Sequence, residues 1–377
     1  MLGRLIAFLK PIGKEYSIWF FFPFYHIGGA EKVHAQVAQA VGGKDCIIFF
    51  TRRSHNDLFR PAFEQSGCEI KDISSFTDNK WLYFLNLIYR GIITGYINRQ
   101  KQSPVTINGQ CNFGYKISPW IKKEIHQIEL IHSFNSFSYI RIPFLPFITE
   151  TVMISKNRIA DHITFYQKVD IPAAFAEKIH YIPNAVRLPS ILTEKGSKPF
   201  TVLYVGRGGA EKRLHLIMTI ASQLHSLDPD IQFEILGDVS EVVKQDNYPF
   251  IHFHGNQSNE KKIASIYARA HVLVLTSSTE GFPLVVIEAM AQGSAIIATA
   301  VGDIPLHVHG GENGFLFSSV IDEATITEEG VKQIRFLKEN RQKWEAISKT
   351  NISYASHNFG IEKFNASWNQ LTKRNQS

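Results

Sequence analysis

"FTVLYVGRGGAEKRL", residues 200–214, decides the fold. Phe200–Val205 is a continuous run of apolar and β-favouring residues, the pattern of a strand buried on both faces. Glycines at 206, 208 and 209 turn the chain, and a helical pattern is expected from about Ala210 to Leu227. A doubly buried strand feeding a helix is the first half of a βαβ unit. The pattern repeats downstream. "IQFEILGD" and "FIHFHG" read as strands, "NEKKIASIYARA" as a helix, "HVLVLTSS" as a strand, "PLVVIEAMAQ" as a helix and "SAIIATA" as a strand. The expectation is a parallel sheet covered by helices.

The first half reads the same way with less regularity. "YSIWFFFPF" leads into the helical "GAEKVHAQVAQAV", and "CIIFFT", "CEIKDI", "PVTING", "IELIHSF" and "TVMIS" are strand candidates. "HYIPNAVRLPSILTEKGSKPF" carries three prolines and scattered polar residues and reads as a linker. Two doubly wound α/β domains follow, over 1–190 and 191–355. Residues 356–377 are expected to form a final helix packing back across them. The pentapeptide Gly-Gly-Ala-Glu-Lys occurs at 28–32 and again at 208–212, each time after the first strand of its domain. The flanks differ, so the shared letters are read as chance. The shared position is not, because that loop lies at the carboxyl edge of a parallel sheet, where ligands bind.

With 377 residues, 44% hydrophobic and 20% charged, the chain has the composition of a globular protein of two ordinary domains. Cys46, Cys68 and Cys111 have no metal-ligand or CxxC spacing and read as reduced thiols. No apolar run is long enough to span a bilayer; "WLYFLNLIYRGIITGYI" is interrupted by Asn86 and Arg90 and reads as a buried helix. "MLGRLIAFLK" places Leu2, Leu5, Ile6 and Leu9 on one helical face before Pro11. Two readings stand for it: a helix lying on a membrane, or one docked on the fold. Residues 1–190 hold 22 Lys and Arg against 14 Asp and Glu, whereas 191–377 hold 18 against 20. The basic half is a candidate for facing anionic lipid or a phosphorylated acceptor. No nucleic-acid motif or long basic run accompanies it, so nucleic acid is not expected as a partner.

Two stretches carry the candidate chemistry. In "GRGGAEKRL", glycines allow close approach of a ligand to the backbone, and Arg207 and Lys212 flank the turn. Together they suit a diphosphate. The dinucleotide fingerprint GxGxxG fails at its third glycine, which disfavours an NAD-dependent oxidoreductase. In "SSTEGFPLVVIEAMAQ", Pro283 suits a helix start, leaving the N–H groups of Leu284 and Val285 available to ligand oxygens. Glu280 precedes that helix. Glu288 lies inside it among apolar residues, where a carboxylate needs a hydroxyl or a cation beside it. "DPD" at 228–230 reads as a turn and His307-Val308-His309 lacks a third ligand, so no metal is expected.

Glu280 and Glu288 with seven residues between them, enclosing Gly281-Phe282-Pro283, resemble the E-x7-E signature of the family-four retaining glycosyltransferases of GT-B fold. Companion motifs stand in the family's order: "GGAEKV", "IPNAV", "VGR…EK", "ILGD", "HFHG" and "VGDIP…ENGFLF". The resemblance is dense over about residues 200–320 and thin before 180. It implies two Rossmann-like domains facing across a cleft and a nucleoside-diphosphate sugar as donor substrate, with no separate cofactor. By position it implies that Arg207 and Lys212 neutralise the donor diphosphate and that Gly28 and Gly29 close over the phosphates. It further implies that Glu280, with the backbone of Gly281, Phe282, Pro283, Leu284 and Val285, holds the transferred sugar and phosphate, and that Glu288 binds the ribose. His132, in "IELIHSF", resembles a histidine facing the reacting sugar, so His132 and Glu280 are the catalytic candidates. The chain departs at Gly302-Asp303, where the family often has Gly-Gly, at Leu306, where Glu is frequent, and at Arg213, where Gly often follows the Lys. A saccharide or lipid-linked saccharide acceptor is expected, with the protein cytoplasmic or peripheral on the cytoplasmic face of the membrane. A nucleotide-sugar epimerase of the same fold and a catalytically silent sugar-binding protein are the alternatives.

Overall fold

The structure, a computed structural model, describes residues 1–79, 81, 83–189, 194–196 and 198–373. It divides into two compact units. Unit 1 comprises Met1–Pro183 and the chain from Phe364 on, and unit 2 comprises Asn184–Lys363. The division falls at 183/184 rather than 190/191, and part of the segment read as a linker (190–193 and 197) lies outside the described residues. The last helix, Ile361–Lys373, starts in unit 2 and continues into unit 1, where the Asn369 amide donates to the Ala40 carbonyl at 3.0 Å.

Unit 1 is built on seven strands: β1 (Ile18–Phe22), β2 (Cys46–Phe50), β3 (Glu69–Asp72), β4 (Val105–Asn108), β5 (His126–Ile131), β6 (Glu150–Met153) and β7 (Ile179–Tyr181). Their order in the sheet is β3-β2-β1-β4-β5-β6-β7, and every pairing is parallel. Unit 2 has β8 (Phe200–Val205), β9 (Ile231–Leu236), β10 (Ile251–Gly255), β11 (Val272–Leu275), β12 (Ala295–Ala298) and β13 (Gly314–Leu316). The order is β10-β9-β8-β11-β12-β13, again all parallel. The continuous apolar runs explain this. β1, β2, β4, β11 and β12 are buried along their whole length, as strands must be when helices cover both sheet faces. β7 falls in residues read as linker, and β13 was not anticipated. Both are three-residue edge strands, too short to carry a pattern.

In each sheet the strand order reverses direction once. In unit 1 the reversal lies between β1 and β4, and in unit 2 between β8 and β11. Such a switch point leaves a crevice at the carboxyl ends of the two strands, and it is there that open α/β sheets bind ligands.

The two Gly-Gly-Ala-Glu-Lys copies differ in conformation. The first opens the helix Gly29–Val41 directly: Gly28 is extended (φ −175°, ψ 158°), and the Lys32 N–H reaches the Gly28 carbonyl at 3.0 Å. In the second, Ala210–Lys212 is a single 3₁₀ turn, Arg213 is left-handed at φ +48°, and the α-helix begins only at Leu214. The expected helix start at Ala210 is therefore corrected to Leu214. The cause is tertiary. The Arg213 guanidinium donates to the carbonyls of Thr276 and Val320, at 2.6 Å each, while the Thr276 hydroxyl donates to the carbonyls of Lys212 and Arg213. These bonds offset the roughly 1–2 kcal/mol that a left-handed non-glycine residue costs.

"WLYFLNLIYRGIITGYI" forms the helix Tyr83–Ile97, in which Arg90 donates to buried Asn86 at 2.8 Å. Among the described residues no helix is long and apolar enough to cross a membrane.

Candidate active site

The switch point of unit 2 brings together residues 68 positions apart. Lys212 leaves the 3₁₀ turn after β8, and Glu280 lies in the loop after β11. Their ammonium and carboxylate meet at 2.6 Å, with side chains 21% and 11% exposed. The turn carrying Lys212 is fixed from across the crevice, because the Ser278 N–H donates to the Glu211 carbonyl at 2.8 Å. On the other side Tyr204, buried on β8, donates its hydroxyl to the Arg207 carbonyl at 3.3 Å.

Arg207 does not join this pair. Its side chain is 80% exposed and lies 3.5 Å from Glu211, an ion pair open to water. The sequence treats Arg207 and Lys212 as equals; the fold makes Lys212 the half-buried cation and leaves Arg207 in water.

The Glu280 loop is held by backbone contacts. Thr299 donates its hydroxyl to the Ser277 carbonyl at 2.5 Å, the Asp303 N–H donates to the Gly281 carbonyl at 2.8 Å, and the Asn184 amide donates to the Phe282 carbonyl at 3.3 Å. Phe282 is buried, its ring 4.3 Å from His307 and 5.2 Å from Phe359. It anchors the loop and does not itself face outward. Pro283 is the N-cap of the helix Leu284–Ala291, one position earlier than a first-turn proline, so Leu284 and Val285 are the first two helical residues. Their N–H groups lack intrahelical acceptors by the geometry of a helix start, and they add positive potential there.

Glu288 is half-buried and accepts a hydrogen bond from the Tyr267 hydroxyl at 2.6 Å. The hydroxyl that its apolar surroundings demanded is thus supplied by the protein. Burial and the Glu288 charge push the Tyr267 phenol well above its usual value, so it remains a donor.

In unit 1, Gly28 and Gly29 lie at the start of the helix after β1. A side chain at Gly28 would run into the Glu31 carboxylate, which folds back over it. His132 follows β5. Its Nε2 lies 2.9 Å from Nε2 of His34, a residue of the helix Gly29–Val41. The His34 ring stacks on Phe22 at 4.5 Å, and a β-carbon at Gly109 would strike it, so the strand ends at the switch point of this sheet hold it in place. Burial depresses His132 to about 4, and burial with His132 beside it holds His34 well below the ordinary value. Both rings are neutral at pH 7, one donating and one accepting.

Sequence reasoning missed Arg213, Tyr267 and His34. The departure from glycine at 213 is a usable signal for the first. A lone His inside the apolar pattern of a helix signals the third, and Tyr267 carries no signal beyond its helical position. The remaining polar motifs are structural. Asp228 and Asp230 of "DPD" lie at the amino edge of the sheet and pair with Lys338 at 2.5 Å and Lys198 at 2.6 Å. Nδ1 of His307 meets the Tyr354 hydroxyl at 2.9 Å. Among the described residues no group of three or more His, Cys, Asp or Glu could hold a metal ion.

Gly302 bears directly on the site. Its φ is +56°, and a β-carbon there would collide with the carbonyl oxygens of Glu280 and Gly281. Gly302→Ala is expected to cost about 1–3 kcal/mol of stability through the left-handed backbone and the clash. It should also shift the loop that carries Glu280 to Lys212. A thermal melt identical to that of the unaltered protein would show that the loop does not depend on this contact.

Residues 192–352 match the family described as Glycosyl transferases group 1. Curated relatives include the GtfA subunit of the UDP-N-acetylglucosamine–peptide N-acetylglucosaminyltransferase of Streptococcus pneumoniae serotype 4, 25% identical over 46% of this chain and 37% of that one. Sulfoquinovosyl transferase SQD2 of Arabidopsis thaliana is 31% identical over 39% of this chain and 28% of that one. The matched segment thus spans well under half the length of these relatives. Among solved structures, Anabaena HepE with UDP and glucose superposes with a TM-score of 0.76 at 17% identity, covering 96% of this chain and 100% of that one. Sucrose-phosphate synthase of Thermosynechococcus elongatus gives 0.72 at 16% identity, covering 96% and 99%. The chain therefore has the GT-B fold of two Rossmann-like domains, and residues 192–352, within its second unit, match the glycosyl transferases group 1 family.

Proposed function

We propose that the protein is a retaining glycosyltransferase that moves a sugar from a nucleoside-diphosphate donor to an acceptor hydroxyl. The observation that carries this reading is the meeting of Lys212 and Glu280 at the switch point of the second sheet, beside the start of the helix Leu284–Ala291. A half-buried ammonium next to helix-start amides is a fixed positive potential suited to a departing diphosphate. Glu280, in the same place, is suited to the sugar hydroxyls. Glu288 with Tyr267 offers a polar contact for the ribose, and Arg207 reaches in from the rim. In the reaction the bond between the anomeric carbon and the diphosphate oxygen breaks, and a bond to the acceptor oxygen forms on the same face. The acceptor proton passes to the leaving phosphate. The names of its relatives, one using UDP-N-acetylglucosamine and another solved with UDP and glucose, favour a UDP-sugar. His132, kept neutral, contributes a hydrogen bond to the sugar rather than a charge. Lys212 and the amides take the part of a metal ion, so transfer is metal-independent. The acceptor is a saccharide or lipid-linked saccharide of the cell envelope, met at the cytoplasmic face of the membrane.

The test is a screen of nucleotide sugars, read as release of nucleoside diphosphate with and without saccharide acceptors, in buffer containing EDTA. The expected result is acceptor-stimulated release of one diphosphate, undiminished by chelator, with an α-linked product from an α-linked donor. Loss of activity in EDTA that magnesium or manganese restores would overturn metal independence. Formation of an epimerised free sugar without acceptor would overturn transfer.

A further inference from the structure

The helix Leu2–Leu9 settles against Tyr83–Ile97 in an unusual way. It uses its small residues: a β-carbon at Gly3 would strike the backbone of Ile88 and Gly91, and one at Gly95 would strike Ala7. The two helices are thus in backbone contact, and Gly3 and Ala7 are the buried residues of the first. Its large apolar side chains are left in solvent, with Leu2 56%, Leu5 53%, Phe8 64% and Leu9 68% exposed. A helix serving only to complete the fold would turn such residues inward, since burying them is its main source of stabilisation. Of the two sequence readings, the docked helix is the one found, but it docks by its small residues and leaves its leucines exposed.

The exposed apolar surface continues along the second helix. Trp81 is 94% exposed, Phe84 57% and Leu87 43%. A cleft of about 520 Å³ between the two helices, lined by Leu2, Leu87 and Trp120 among others, joins the two parts of the surface. Cations border it on aromatic rings. Arg99 lies 4.9 Å from the Phe8 ring, Lys116 5.7 Å from the Tyr83 ring and Arg4 6.0 Å from the Trp120 ring. The charge is one-sided. Residues 1–14 and 79–123, which supply the whole surface, hold ten Lys and Arg and no Asp or Glu.

We infer that this face of unit 1 is a docking surface for an anionic lipid bilayer. Leucines and phenylalanines enter the acyl boundary, the two tryptophans sit at headgroup depth, and the surrounding cations pair with lipid phosphates. Carboxylates stand only just beyond the ends of these segments, at Glu15, Asp78 and Glu124, and the excess of cations favours anionic lipid as the occupant. The surface lies within unit 1 and its occupancy is read without turnover, so the inference stands or falls apart from the proposed transfer.

The experiment is cosedimentation of the full chain with phosphatidylcholine vesicles, with and without phosphatidylglycerol, at low and moderate salt. Anionic vesicles should bind at least about tenfold more tightly than neutral ones, and the difference should shrink with salt. Leu5→Asn with Leu9→Asn, both exposed in the fold, should reduce binding about tenfold or more while leaving the melting temperature unchanged. Tryptophan emission should shift to the blue on binding, and Trp81→Phe should diminish that shift, because the indole of Trp81 is open to water while those of Trp19, Trp344 and Trp368 are already buried. Negligible binding to both vesicle types would overturn the inference, as would binding that the leucine substitutions leave intact. So would a dimer in free solution that the same substitutions convert to monomer, since a second copy would then cover the face.

Discussion

Lys212→Ala is expected to lower kcat/KM for the donor by about a hundredfold or more and to weaken binding of the free nucleoside diphosphate, with the melting temperature nearly unchanged. A charge-assisted hydrogen bond to a phosphate is worth about 1.5–3 kcal/mol, which sets a loss of roughly ten- to a hundredfold or more. The substitution also leaves Glu280 without its partner 2.6 Å away, so a half-buried negative charge then faces the incoming diphosphate and deepens the loss. Glu280→Gln has the opposite sign on binding. It frees Lys212, so nucleoside diphosphate binds as well or better, while transfer falls because the sugar loses its partner. Arg207→Ala should be milder than Lys212→Ala, since that side chain is 80% exposed and its charge is screened. Calorimetric titration of UDP and steady-state kinetics on the three variants check the order. Unchanged kinetics in Lys212→Ala would remove the donor site from this crevice.

The second large effect is on stability. Glu129 on β5 and Arg141 are both fully buried, and Arg141 grips the two carboxylate oxygens. Tyr115 donates to Glu129 at 2.9 Å and Thr151 at 2.7 Å, while Arg141 donates onward to Tyr166 at 2.5 Å. Burial pushes the Glu129 carboxyl up, and the Arg141 charge and these hydrogen bonds outweigh it, leaving the carboxyl below its usual value. Glu129→Ala leaves a buried guanidinium uncompensated and is expected to cost about 3–5 kcal/mol. For a unit of this size that is on the order of 10 °C in its melting transition. Replacing both residues, as Glu129→Leu with Arg141→Met, removes the stranded charge and should recover most of the loss. Calorimetry of the single and double variants checks this, and a single variant as stable as the unaltered protein would show the pair to be dispensable.

The sequence by itself determined what depends on local pattern. Short continuous apolar runs such as "FTVLYV" and "VLVL", bounded by turn residues and rich in β-branched side chains, have the pattern of strands covered on both faces, and helices between them connect parallel neighbours. That was enough for two doubly wound domains, and it placed Lys212 and Glu280 at carboxyl ends of strands. Tertiary structure decided everything that turns on partners distant in the chain. The same five letters became a helix start at 28–32 and a 3₁₀ turn at 208–212, because Arg213 found the carbonyls of Thr276 and Val320 more than sixty residues on. Strand order put Lys212 against Glu280 and left Arg207 in water, a distinction that two cations five residues apart cannot reveal on their own. The apolar stripe of the first helix was legible, but not which face would be buried. Gly3 and Ala7 won that contact because only small side chains let the helix backbones meet, and the leucines were left outside.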